Sequence, residues 1–190
     1  MFSVFFVSDT RKLICLTIIL KFMPKAIRRL SLRKKEGKRI LRLVSKSLGI
    51  EAEEIFGRKP RIEVVNVKGR NIYFINGIPM LVISEDTVFP TLVFSKYVNS
   101  LPKVVVDMGA VPHICNGADV MAPGIVEING EFEKNDLVAV VDERNRRVIA
   151  MAQALACSEK LKNLKKGKAF KNLHHVGDDI WDLVKESSQR

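Results

Sequence analysis

Three cysteines, one tryptophan and two tyrosines are all that this 190-residue chain holds of those types. Cys15, Cys115 and Cys157 are too few and too scattered for a disulfide framework or a zinc knuckle, and they fit a reducing cytosol. Aromatic residues make up only 7%, which speaks against a channel that holds RNA by stacking many bases. The apolar runs at 2–7 and 13–20 fall well short of the ~20 residues that span a bilayer, so no stable membrane insertion is expected. There is no Walker loop, no GxGxxG and no HExxH. No Ser/His/Asp or Cys/His order stands out. His113 with Cys115, and the distant pair His174-His175, match no zinc spacing. The adjacent Asp178 and Asp179 suit a turn or a helix cap better than a catalytic pair. No catalytic group, metal site or cofactor is therefore expected, and the chain is not read as an enzyme.

Acidic residues are scarce in one stretch. The net charge is +11, and residues 23–49 carry +9 of it, with Glu36 as their single acid. Residues 50–190 are balanced. Ten cations against one anion repel each other, so this run is read as a polyanion-binding segment rather than an ordinary solvated helix face. Its expected phosphate contacts are Arg28, Arg29, Arg33, Lys34, Lys35, Lys38 and Arg39. Residues 1–22 are expected to be an extension outside the folded unit or a mis-assigned start, because Met23 opens a plausible protein of its own.

With 47% apolar and 28% charged residues, the rest is ordinary globular sequence. Ile40, Leu41, Val44 and Leu48 recur at helical spacing over 33–48, and Gly49 follows as a stop. A second short helix is expected near Ile55–Gly57. From Arg61 the period becomes two, giving strands at Ile62–Val67, Asn71–Ile75 and Ile78–Ile83. Lys68-Gly69-Arg70 and Asn76-Gly77 are their turns. Pro79 suggests an edge or an irregular start. Phe89-Pro90 is expected to break the third strand and open a helix to about Asn99. The result is a small α+β module at 24–102 with a boundary at Leu101-Pro102. Beyond it, short strands with Gly, Pro and Asn punctuation predict a mostly-β, barrel-like domain at 103–183, followed by a tail at 184–190. The expected fold class is α+β.

The segment Asp107–Gly124 holds three glycines and two prolines between strands. Gly109 and Gly117 could take positive φ and leave backbone open to a ligand, although the same glycines would equally suit the corners of a compact barrel.

These residues carry a resemblance. Val106-Asp107-x-Gly109-Ala110, then Gly117-Ala118-Asp119-Val120-Met121-Ala122-Pro123-Gly124-Ile125, resembles the signature of the PUA domain, an RNA-binding module. The likeness continues through Asn135-Asp136-Leu137-Val138, Gly167-Lys168-Ala169 and Leu173-His174-His175-x-Gly177-Asp178-x-Ile180-Trp181. Where the family often has glycine near 152, this chain has Ala152. Val88-Phe89-Pro90-Thr91-Leu92 and Lys96-Tyr97 are similar to the pre-PUA module of a narrower group, the malignant-T-cell-amplified-sequence and ligatin translation factors with their archaeal relatives. The resemblance implies a PUA pseudo-barrel whose RNA groove is bordered by Gly109, Ala110, Val111, His113, Gly117, Ala118, Asp119 and Met121. It implies a non-catalytic, cytoplasmic RNA-binding protein acting in translation on a tRNA acceptor end, on the small ribosomal subunit or with a translation factor. An accessory subunit of an RNA-modification enzyme is the alternative. A monomer is expected. Lys103 is expected to be the ninth groove residue, with Lys165, Lys166, Lys168 and Lys171 contacting phosphates beside it.

Overall fold

The computed structural model describes residues 29–84 and 87–188. The expected extension at 1–22 and Arg28 lie outside the described residues.

The first module is a five-stranded antiparallel meander in the order β1-β2-β3-β4-β5. Its strands are β1 (Leu30–Ser31), β2 (Ile62–Val67), β3 (Arg70–Ile75), β4 (Ile78–Ser84) and β5 (Thr87–Pro90). The turn between β3 and β4 has Asn76 at φ 53° and Gly77 at φ 86°. Two successive positive φ values are what a two-residue hairpin needs to match the twist of its strands, and Asn-Gly adopts them most readily. The period of two sends Ile72 and Phe74 to one face and Tyr73 and Ile75 to the other.

Helices α1 (Lys34–Leu48) and α2 (Ala52–Phe56) cover the second of these faces. Val44, Leu48 and Phe56 pack there on Tyr73, Ile75 and Leu81. Arg33 precedes α1, and its N–H donates to Glu36 at 3.2 Å. Gly49 ends the helix at φ 64°, a left-handed cap that lacks a Cβ penalty only in glycine.

Two expectations about this module change. Phe89 and Pro90 do not open a helix to Asn99. They belong to β5, and the helix is only the turn α3 (Ser95–Val98). Pro90 is tolerated because β5 is an edge. Pro79 does not mark an edge, since β4 lies between β3 and β5. The irregular start is present instead, as a register shift between Tyr73 and Phe74 opposite Pro79.

The second module is a curled six-stranded sheet in the order β7-β11-β10-β9-β6-β8. Its strands are β6 (Lys103–Val106), β7 (Val120–Met121), β8 (Ile125–Asn129), β9 (Leu137–Asp142), β10 (Val148–Ala154) and β11 (Lys168–His175). Helices α4 (Ala110–Cys115) and α5 (Ser158–Lys162) lie between strands. All pairs are antiparallel except β6 with β9. Ala150, Ala152, Ala154 and Ala169 are fully buried beside Phe170. Such small side chains let the sheet curl tightly around a few large ones. Ala152 sits at a register shift between β10 and β11, so alanine serves at the bulge where the family often has glycine. Asn135 has φ 76°, a value asparagine tolerates far better than most residues.

Residues 184–188 are not a tail. They complete α6 (Asp179–Ser188), which turns back onto the first module. Leu173 of β11 with Ile180 and Leu183 of α6 packs against Ile72, Phe74, Val82 and Phe89. The five-stranded sheet is thus covered by α1 on one face and by β11 and α6 on the other. Among the described residues no helix is long and apolar enough to cross a membrane.

Candidate nucleic-acid interface

Where β6 ends, the Asp107 N–H donates to the Gly124 carbonyl at 3.0 Å. Asp107 Oδ1 accepts the Ala110 N–H at 2.7 Å, which ties down the start of α4. Gly109 does not have the expected positive φ. It is helical at φ −72°, ψ −34°. The residue for which glycine is sterically required is Gly124, where a Cβ would stand 2.9 Å from the Ala110 Cβ. Gly117 does take φ +89° and reverses the chain after α4. Its N–H donates to the Ile114 carbonyl at 3.0 Å. Gly124→Ala is expected to destabilise the fold by roughly 1–3 kcal/mol through overpacking, read as a lower urea midpoint.

These loops enclose an open cavity of about 530 Å³. Six of the nine expected groove residues line it: Gly109, Ala110, His113, Ala118, Asp119 and Met121. Asp107, Ile114, Pro123 and Gly124 complete the wall. The lining is mostly carbon, and Met121 is 48% exposed. The other three residues fall elsewhere. Val111 packs on the barrel core. Gly117 lines a neighbouring cavity. Lys103 pairs with Asn129 and Ala139 at the far end of β6, roughly 13 Å of strand from Asp107, so it does not belong to the groove.

Four expected lysines do gather at the groove side. Lys168 stands opposite Met121 in the ladder, and its Nζ lies 2.6 Å from Asp119 Oδ2. Lys165 and Lys166 are exposed in the loop whose Gly167 carbonyl accepts the Ala122 N–H at 2.8 Å. Lys171 is exposed on β11. Asp119 also accepts the Asn172 N–H at 2.7 Å. Burial pushes the Asp119 carboxyl up, but the Lys168 and Asn172 hydrogen bonds and the charges of Lys168 and Lys171 outweigh it. They leave the carboxyl below its ordinary range.

The N-terminal cations are less uniform than expected. Arg33, Lys34, Lys35, Lys38 and Arg39 are exposed. Arg29 is half-buried. Its guanidinium carbon lies 4.1 Å from the Phe74 ring centroid and an Nη donates to Ser187 Oγ at 3.2 Å, so it holds the first module to α6 rather than facing a phosphate. The exposed side of α1 is on the sheet face opposite β11. Roughly 20 Å of helix and sheet separates the two basic surfaces.

Of the two adjacent histidines, only His175 approaches a cavity. His174 is fully buried, with Nδ1 at 2.8 Å from Asp178 Oδ2. Asp178 caps α6 by accepting the Trp181 N–H at 2.8 Å. Burial pushes its carboxyl up, and the His174, Trp181 and His175 contacts more than reverse this, holding it below the ordinary carboxylate range.

The PUA domain family matches residues 102–176, and a domain of unknown function, DUF1947, matches residues 28–98. An uncharacterized protein of Methanocaldococcus jannaschii is 38% identical over 153 residues, covering 77% of this chain and 93% of its own. The chain belongs to this family of PUA proteins with a DUF1947 module. Translation machinery-associated protein 20 of Saccharomyces cerevisiae is 26% identical over 142 residues, 70% of this chain and 78% of its own. Malignant T-cell-amplified sequence 1 of Rattus norvegicus is 25% identical over 126 residues, 64% of this chain and 65% of its own. A hypothetical protein of Pyrococcus horikoshii has a solved structure at TM-score 0.68 and 37% identity, covering 83% of this chain and 99% of that one. In this PUA protein the groove segment and the lysines of β11 fall inside the PUA match. The basic α1 falls inside the DUF1947 match.

Proposed function

We propose that this PUA protein is a non-catalytic, cytoplasmic RNA-binding factor of translation, with residues 24–102 and 103–188 as its two modules. The carbon-lined cavity at Gly109–Met121, flanked by lysines, supports this most directly. An unstacked nucleotide at the end of a strand can place its base and ribose against Ala110, Ala118, Met121 and Pro123. Lys168 and the lysines beside it then meet the phosphates. Both carboxylates in the groove wall are already committed, Asp107 to the Ala110 N–H and Asp119 to Lys168 and Asn172. The name of the yeast relative, translation machinery-associated protein 20, supports a role in translation, where a tRNA acceptor end is the unpaired strand end that fits.

The second basic surface, on α1, faces away from the groove. Because it faces the other way, α1 suits a second polyanion such as the ribosomal RNA of the small subunit. Reversing the charge of Lys34, Lys35 and Lys38 together is expected to leave binding of a short single strand intact and to lower retention on small ribosomal subunits. With about 0.7 of salt slope per single-strand phosphate contact, a loss of about 2 in the slope for a short oligonucleotide would instead place α1 in the groove's own interface. Fluorescence anisotropy over a salt series, beside sedimentation with purified subunits, separates these results.

A further inference from the structure

A second cavity, of about 280 Å³, adjoins the groove through the Gly117-Ala118 loop. Ala118 faces the groove and Gly117 faces this cavity. Consecutive Cα atoms lie ~3.8 Å apart, so neighbouring nucleotides of one strand can reach both. The opposite wall comes from the first module, as Lys68 in the β2–β3 turn and Arg70 at the start of β3. Asn172, His175, Asp178 and Asp179 complete the polar lining.

The acids here are spent on internal contacts. Asp178 uses Oδ1 on the Trp181 N–H, and Oδ2 on His174 and on the His175 N–H. Asp179 is paired with Lys68 at 2.7 Å, both side chains being more than half exposed. An exposed pair of this kind is worth at most about 1 kcal/mol, and the Lys68 ammonium has three donors, so it can bridge Asp179 and a phosphate. Arg70 uses one Nη to donate to the Leu173 carbonyl at 3.2 Å. That bond anchors the guanidinium across the two modules and leaves its other donors for a ligand. His175 Nδ1 lies 3.1 Å from the Val176 carbonyl and so carries the proton, which leaves Nε2 as the open edge. A Cβ at Gly117 would stand 3.4 Å from that Nε2, so glycine keeps this wall open.

We propose that this cavity takes one phosphodiester of the RNA strand whose end occupies the groove, held by Arg70 and Lys68. The inference rests on the RNA reading above. It makes the first module a direct RNA contact through its β2–β3 turn, on the side away from α1.

The test is anisotropy of a fluorescent single-stranded oligoribonucleotide on the full chain over a salt series, with thermal melts of every variant. Lys68→Gln is expected to lower the salt slope by about 0.7, and Lys68→Gln with Arg70→Gln by about 1.4, with an unchanged melt for the first. Should the double variant melt early, Lys68→Gln alone decides. Arg70→Lys, which keeps the charge and loses the fork, is expected to keep the slope and weaken binding. Unchanged affinity and slope in the Lys68 and Arg70 variants, with binding weakened at least about tenfold by Ala118→Glu, would overturn this proposal and leave the groove standing. No binding by the unaltered chain would overturn both.

Discussion

Ala118→Glu is expected to cut the affinity for single-stranded RNA at least about tenfold, or ~1.4 kcal/mol, while the thermal melt stays where it was. The side chain is exposed. The backbone of residue 118 is held by its N–H to the His113 carbonyl and by its carbonyl to Asn172 Nδ2, both at 3.0 Å. Neither bond involves the side chain. A carboxylate at this place fills part of the cavity and sets a negative charge where the strand's phosphates approach. Because the site is open to water, salt should screen part of the repulsion, and the ratio of affinities should narrow as salt rises. Ala118→Ser, which adds neither charge nor much volume, is expected to bind as the parent does. A filter-binding or anisotropy series on the three proteins reads both effects.

Asp178→Ala is expected to destabilise the fold by about 2–4 kcal/mol in urea. Losing a helix N-cap costs ~1 kcal/mol, and stranding the buried His174 nitrogen costs roughly 1–3 kcal/mol more. The damage should spread to both modules, since α6 joins them through Ile180 and Leu183. Asp178 also has a pH signature. Its carboxyl lies lower in the fold than the ordinary 3.8. The unfolded chain therefore takes up the proton first as pH falls. The stabilisation is complete above the ordinary value and is lost as pH drops through the depressed one. The parent should lose stability below about pH 4 more steeply than the variant, as urea midpoints across pH 2–7 would show.

Much of this molecule can be read from residue order alone, where the determinants are local. The helix at 34–48, the Asn76-Gly77 turn and the strands of both modules follow from spacing and from backbone preferences of single residues. Six of nine groove residues fall together because they lie on one short loop–helix–loop segment. What escapes is decided by partners far along the chain. β1 and β5 are too short to show a period, and they exist because β2 and β4 offer them an edge. Lys103 is near Asp107 in sequence but is carried off by the extended strand between them. Arg29 reads as one more cation, yet Phe74 and Ser187 claim it. Gly109 and Gly124 look alike in the sequence, and only the approach of Ala110 tells them apart. Lys68 and Arg70 read as turn residues until α6 and β11 bring Gly117 and His175 opposite them. The C-terminal segment shows a helix cap at Asp178, but nothing in it says which module the helix will cover.

The claim on which the account depends is that RNA enters at Gly109–Met121. Backbone amide shifts of isotopically labelled protein, followed while a short unpaired oligoribonucleotide is added, test it most directly. The largest changes are predicted at Gly109, Ala110, His113, Ala118, Asp119, Met121 and Lys168, with smaller ones at Lys68 and Arg70 and none on the exposed face of α1. Changes confined to Lys34–Lys46, with the groove amides unmoved at saturation, would contradict it.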